Sequence, residues 1–201
     1  MTPIRFRDET YHATALISDL IGKDIIAYRA PYFSITKNSL WAFEILVELG
    51  FQYDSSILPI KKGRYGISGF APVIQTINTE SGSLIEIPIS IRKILGISIP
   101  VSGGGFFRLY PFQFTHANFL ALEKDSYPVI FYIHPWELDS ERPLGNQSLA
   151  ESFKNKIGIS STKAKLSKLL QYFSFGTLRD SLSNVSSTER HLEKCNMEFH
   201  R

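Results

Sequence analysis

One cysteine, Cys195, in a chain of 201 residues leaves no disulfide framework and no thiolate metal cluster. A reducing compartment, the cytoplasm, is the expectation that follows. No run of about 18 apolar residues occurs, so a membrane-spanning helix is not expected. The amino-terminal stretch MTPIRFRDETYHATAL carries charge throughout and holds no apolar core of signal-peptide length. Charge of one sign is scarce too: 22 Lys and Arg stand against 19 Asp and Glu, a net charge of +3, and the basic residues are scattered. Nucleic-acid binding needs enough clustered cations to neutralise many phosphates, so nucleic acid is not an expected partner.

Paired imidazoles are missing as well. The histidines are His12, His116, His134, His191 and His200, and no two are three or four residues apart, so no helix turn or strand offers a paired imidazole site. There is no Asp-Asp pair either, and no metal ligand is assigned within this chain. The glycine run at 103–105 invites a phosphate-loop reading, but no Lys and Ser/Thr follow it and no helix is expected to start at its end. A close backbone approach or a tight bend explains it better.

What the chain does have is aromatic residues, 13% of the total, gathered in segments such as GGGFFRLYPF. Packed loops and sugar stacking both use such clusters. Arg108, set among Phe106, Phe107 and Tyr110, is a candidate contact for a carbohydrate or carboxylate, or an arginine stacked on rings for packing.

With 43% hydrophobic and 20% charged residues the chain suits one core-forming domain, taken as residues 1–182, followed by a polar tail at 183–201 that is expected to fray. Residues 5–21 read as a helix with Ala13, Leu16, Ile17 and Leu20 inward, stopped by Gly22. A short strand at 25–28, a helix at 38–49 with Ala42, Ile45, Leu46 and Leu49 inward, and a strand in FQYDSS give a parallel α/β rhythm. Residues 57–110 read as a β-rich insertion, with strands at 84–90 and 97–102. A helix at 113–124, the strand PVIFYIH and a helix at 162–173 capped by Ser161 complete the pattern.

Chemistry is expected where polar groups follow apolar strands: Arg29 in YRAPYFS, Asp54 in YDSS and His134 in FYIHPWELD. If the strands are parallel, all three face one rim. Pro135 forces His134 toward an extended backbone just where its imidazole emerges. Each also has a structural reading: a carboxylate partner for Arg29, a turn cap for Asp54, a carbonyl for His134.

In order, YRAPYFSIT, a helix, GFQYDSSILPI, a β-rich stretch ending GGGFFRLYP, and FYIHPWELD resemble the polysaccharide deacetylases of carbohydrate esterase family 4, over about residues 6–182. The nearest subgroup is the one linked to exopolysaccharide loci, with a C-terminal extension. The resemblance implies an α/β fold, here an incomplete distorted (β/α) barrel with a β-rich insertion, and hydrolysis of N-acetyl groups on a polysaccharide or oligosaccharide. It implies that His134 is the general acid, that Arg29 orients a base aspartate, and that Tyr32, Asp54, Trp136 and Arg108 contact substrate. The complete family domain uses zinc or another divalent metal. Its Asp-Asp and His-x-x-x-His motifs, upstream of the arginine loop, are absent from this sequence. The chain thus corresponds to the C-terminal portion of the family domain, either inactive as it stands, or one half of a split enzyme with an upstream partner fragment, or a non-catalytic carbohydrate-binding remnant.

Overall fold

The computed structural model describes residues 1–61, 63, 65–125, 127–141, 156–180 and 193–195. The chain forms two compact units, Met1–Ile89 with Glu189–Arg201, and Ser90–Thr188. The β-rich stretch 57–110 is divided between them.

The first unit opens with helix α1, Pro3–Ile21. Thr2 accepts a hydrogen bond from the Arg5 amide at its start, Pro3 suits a first-turn position that needs no amide donor, and Gly22 in the left-handed conformation ends it. The inward face differs from the expected one. Phe6 and Thr10 are buried, whereas Leu16 (62%) and Leu20 (74%) are exposed. Phe6 sets the rotation by fitting edge-on against both Tyr28 and Trp41, and an Arg7–Glu48 ion pair joins α1 to the next helix. Helix α2, Trp41–Glu48, buries Ala42, Ile45 and Leu46 as its spacing predicts, and Phe43 besides, while Leu49 falls just after it and is half-buried; Gly50 follows with positive φ.

Strand β1 (Ala27–Tyr28) pairs in parallel with β2 (Tyr53–Asp54), and β2 in parallel with β4 (Gly82–Glu86). Strand β3 (Gln75–Thr79) forms an antiparallel hairpin with β4, and β7 (Glu193–Cys195) lies parallel to β3. The sheet order is β1-β2-β4-β3-β7, a mixed open sheet with no closed barrel among the described residues. Phe43, Leu46, Ile57, Ile77 and Leu84 form the fully buried centre of this unit. Each such side chain contributes about 1.5–3 kcal/mol by leaving water. Most of the tail beyond residue 183 lies outside the described residues, but Glu193–Cys195 is a strand.

The second unit begins with the hairpin of β5 (Ile91–Ile94) and β6 (Ile97–Pro100). Its turn is Leu95–Gly96, both with positive φ, the geometry that suits tightly twisted hairpins. Helices α3 (Gly104–Leu109), α4 (Phe112–Lys124) and α5 (Ile159–Tyr172) follow. Helix α3 starts inside the glycine run, where no helix was expected. The run exists for close packing: a Cβ at Gly103 would lie 2.3 Å from the Tyr132 carbonyl oxygen, and the Gly104 amide donates to that oxygen. Ser161 does not cap α5. Gly158 does so with positive φ, and the Ser161 hydroxyl donates to the Gly158 carbonyl.

The run PVIFYIH is extended but is not a ladder strand. Pro128 and Pro135 carry no amide donor, the Ile130 amide goes to the Ser90 hydroxyl, and the Tyr132 carbonyl is taken by Gly104. Its apolar residues Val129, Phe131 and Ile133 instead pack on a core of Phe107, Phe119, Leu169 and Phe173.

Candidate functional site

Two clusters hold the candidate residues, one in each unit. In the first, β1, β2 and β4 all end at one side of the sheet, with Tyr28 opposite Asp54 and Asp54 opposite Glu86. Arg29 follows immediately. Its Nε donates to the Ser55 carbonyl at 3.1 Å and its Nη2 to the Ser55 hydroxyl at 2.8 Å, and that hydroxyl donates to the Ile87 carbonyl. The Ala30 amide donates to the Ser56 hydroxyl, which donates to Asp54 Oδ1. Three strand ends are thereby tied to the arginine loop.

Asp54 is buried, and the amide and hydroxyl of Ser56 occupy its two oxygens. It holds this network and does not face solvent. Glu86, which the sequence reading missed, lies beside it fully buried, with Oε1 accepting from the Ile57 amide. Burial first, then the charge of Asp54, pushes the Glu86 carboxyl well above its ordinary range, and burial raises Asp54 as well. The alternation in LIEIPIS gave the only hint of Glu86: an acid among β-branched residues on a strand otherwise buried.

The loop after Arg29 carries Tyr32, which is 80% exposed. Tyr32 and Phe33 both adopt positive φ, +58° and +53°. Non-glycine residues in this region cost on the order of 1–3 kcal/mol each. The Arg29 guanidinium lies 5.7 Å from the centre of the Phe33 ring.

In the second cluster His134 has the extended backbone that Pro135 imposes, φ −96° and ψ 142°. Its Nδ1 lies 3.0 Å from Glu137 Oε2, and its amide donates to the same oxygen at 2.9 Å. The other Glu137 oxygen accepts from Arg108 Nε at 2.8 Å. Glu137 is 1% exposed, and a ring nitrogen at hydrogen-bond distance from a carboxylate oxygen donates to it, so Nδ1 is the donor of this contact. Nε2 is then the nitrogen left for chemistry, on a ring whose residue is 54% exposed. Trp136 lies between the partners, stacked with the His134 ring at 26° and beneath the Arg108 guanidinium at 4.8 Å.

Arg108 is held from behind. Its Nη1 donates to the Ile157 carbonyl, and Lys165 Nζ donates to the carbonyls of Phe107, Arg108 and Tyr110, at the C-terminal end of α3. Burial and the nearby Arg108 charge lower the Lys165 pKa. A Cβ at Gly158 would lie 2.2 Å from the Arg108 carbonyl oxygen, so only glycine fits where α5 begins. The sequence reading selected Arg108, His134 and Trp136 but missed Glu137 and Lys165. Glu137 stands three residues after His134, the capping-box interval, and that spacing was the available signal.

Residues 55–183 match the family described as Domain of unknown function (DUF3473). The chain belongs to this family. The match contains the Asp54-adjacent serines, Glu86 and the whole His134–Glu137–Arg108 cluster. No curated protein and no solved structure matches the chain.

A divalent metal is implied by the deacetylase resemblance. Among the described residues no three His, Cys, Asp or Glu side chains gather as a ligand set. The buried Asp54–Glu86 pair is already occupied by Ser56 and Ile57, leaving one carboxyl oxygen where a zinc site needs about four donors. These residues do not fit the metal.

Proposed function

We propose that this chain is a polysaccharide deacetylase-like protein directed at the N-acetyl groups of an exopolysaccharide, with His134 as its acid. The observation that carries the reading is the His134–Glu137 pair, which fixes the tautomer and leaves Nε2 to act. The association of DUF3473 with polysaccharide deacetylase-like proteins supports it, as do the ordered motifs around Arg29, Asp54 and His134. In amide hydrolysis the carbon–nitrogen bond breaks as oxygen from water bonds to the acyl carbon. The departing nitrogen then needs a proton, which protonated His134 would deliver from Nε2. Glu137 stabilises the imidazolium, and buried Arg108 holds Glu137 in place.

Among the described residues no set that would activate water is gathered. The exposed Leu16 and Leu20 of α1, and the position of β1 at the end of the sheet, give a partner polypeptide a surface to meet. The single cysteine suits a reducing, cytoplasmic setting. That no ligand set is gathered among the described residues favours one second reading, a non-catalytic carbohydrate-binding protein.

The test is binding of, and acetate release from, an N-acetylglucosamine oligomer by the wild-type chain and by His134→Ala. Release that disappears in the variant supports the enzyme reading. Binding without release, weakened in the variant, supports the second reading. Neither binding nor release would overturn both.

A further inference from the structure

We propose that the tip of the β5–β6 hairpin seats the chain on an anionic lipid surface, with Ile94, Leu95 and Ile97 entering the bilayer interface and Lys93 at the headgroups. This contact is independent of the carbohydrate reading: none of these residues lies in the arginine, aspartate or histidine loops.

Residues 87–122 contain no Asp or Glu, and the run IRKILGISI within them sets two adjacent cations against an apolar turn. The chain folds back at Leu95–Gly96, so Ile94 stands opposite Ile97, Lys93 opposite Ser98 and Arg92 opposite Ile99. Alternation puts Ile94 and Ile97 on one face of the ribbon and Lys93 and Ser98 on the other. The base of the ribbon is anchored. Ile91 and Val101 are buried, the Val101 amide and the Ser102 hydroxyl both donate to the Ser90 carbonyl, and Arg92 Nη1 donates to Asn118 of α4 at 3.1 Å. The tip is the opposite. Leu95 is 98% exposed, more than any other large apolar residue among those described, and a Cβ at Gly96 would meet nothing within 4 Å.

Exposure and strain both run against folding here. The two turn residues have positive φ, +50° at Leu95 and +83° at Gly96, a geometry that Asn-Gly adopts with less strain than Leu-Gly. Leucine at this position contributes to the fold neither by burial nor by backbone preference, so its place is explained by something outside the fold. A convex apolar tip beside cations fits a lipid interface. Leu95 lies two residues beyond Lys93, about 7 Å along a strand. Interfacial segments bury their apolar groups to a depth of roughly 5–10 Å while lysine reaches back to the phosphates. With no acidic side chain in 87–122, nothing in this stretch of chain repels an anionic surface. Pairing two such tips would instead bring like charges together, which disfavours a second copy as the occupant.

The experiment is flotation of the full chain with vesicles of phosphatidylcholine and phosphatidylglycerol, and with vesicles of phosphatidylcholine alone. The wild type is expected to float with the mixed vesicles, far less with the neutral ones, and less again as salt is raised. Leu95→Asn should weaken binding about 10-fold and raise the melting temperature, because asparagine suits the turn; a role for Leu95 in folding would lower it. Lys93→Gln should weaken binding about 5-fold. Leu16→Ser, on the exposed side of α1, should bind as wild type. No flotation, equal binding to both vesicle types, or binding lost in Leu16→Ser and kept in Leu95→Asn would each overturn the proposal. A concentration-dependent dimer in lipid-free buffer that Leu95→Asn abolishes would give the tip to a second copy and overturn it as well.

Discussion

Asp54 and Glu86 stand opposite each other in register across the parallel β2–β4 pairing, and burial raises both carboxyls above their ordinary range. Both are buried, Asp54 accepts twice from Ser56, and Glu86 Oε1 accepts from Ile57. Glu86 Oε2 has no hydrogen-bond partner among the described residues, and burial beside a second carboxyl favours the protonated form of Glu86.

Linkage gives this proton a measurable sign. Both carboxyls titrate above their unfolded ranges, so the folded chain holds a proton that the unfolded chain has released. The stabilisation is complete below the unfolded carboxyl range and is lost as pH rises through the raised folded values. Glu86→Gln keeps an acceptor for Ile57 and a permanent donor for Asp54. Urea unfolding from about pH 5 to 8 should show the wild type losing stability with rising pH and Glu86→Gln losing much less. Equal slopes would refute the proton on Glu86.

Glu137 and Arg108 make a buried ion pair whose parts depend on each other. Removing one partner strands the other charge, so Glu137→Ala should destabilise the chain by about 3–5 kcal/mol. Adding Arg108→Met should restore part of that loss. A double-mutant cycle by denaturant unfolding measures the coupling; additive effects would contradict the pairing.

Lys165 is a prediction of a different kind, because it touches no candidate catalytic atom. It holds the Phe107 and Arg108 carbonyls of α3 and that of Tyr110 just after it, and so the helix that carries Arg108. Lys165→Met keeps the apolar stem and loses the charged hydrogen bonds, which should cost about 1.5–3 kcal/mol in denaturant unfolding. An unchanged midpoint would show that water replaces the ammonium group at no cost.

The absence of a gathered ligand set among the described residues makes a prediction about zinc. Protein loaded with zinc and then washed should retain well under one equivalent by elemental analysis. One tightly held equivalent would show a site assembled from residues beyond those described.

The legibility of this chain in its sequence varied with the kind of signal. Helix α2 was read correctly because Ala42, Ile45 and Leu46 repeat at helical spacing and Gly50 stops them. Helix α1 was rotated because apolar residues occur on two of its stripes, and only the slot formed by Tyr28 and Trp41 chooses Phe6. PVIFYIH has the composition of a strand, but its amides and carbonyls meet Ser90 and Gly104, and composition does not reveal where hydrogen bonds go. His134 was singled out because a polar group ends an apolar run, Arg108 because it stands among aromatic residues, and Trp136 only through the family resemblance. Glu86 was missed because its partner, Asp54, is 32 residues away in the chain.

The measurement closest to the central claim is nitrogen-15 NMR of the His134 ring while an N-acetylglucosamine oligomer is added. The account predicts that Nδ1 of the neutral ring is protonated before addition, held by Glu137, and that the Nε2 resonance moves on binding while Glu137→Gln alters the tautomer balance. A His134 ring protonated on Nε2 in the free chain, or an Nε2 resonance unmoved at saturation, would contradict it.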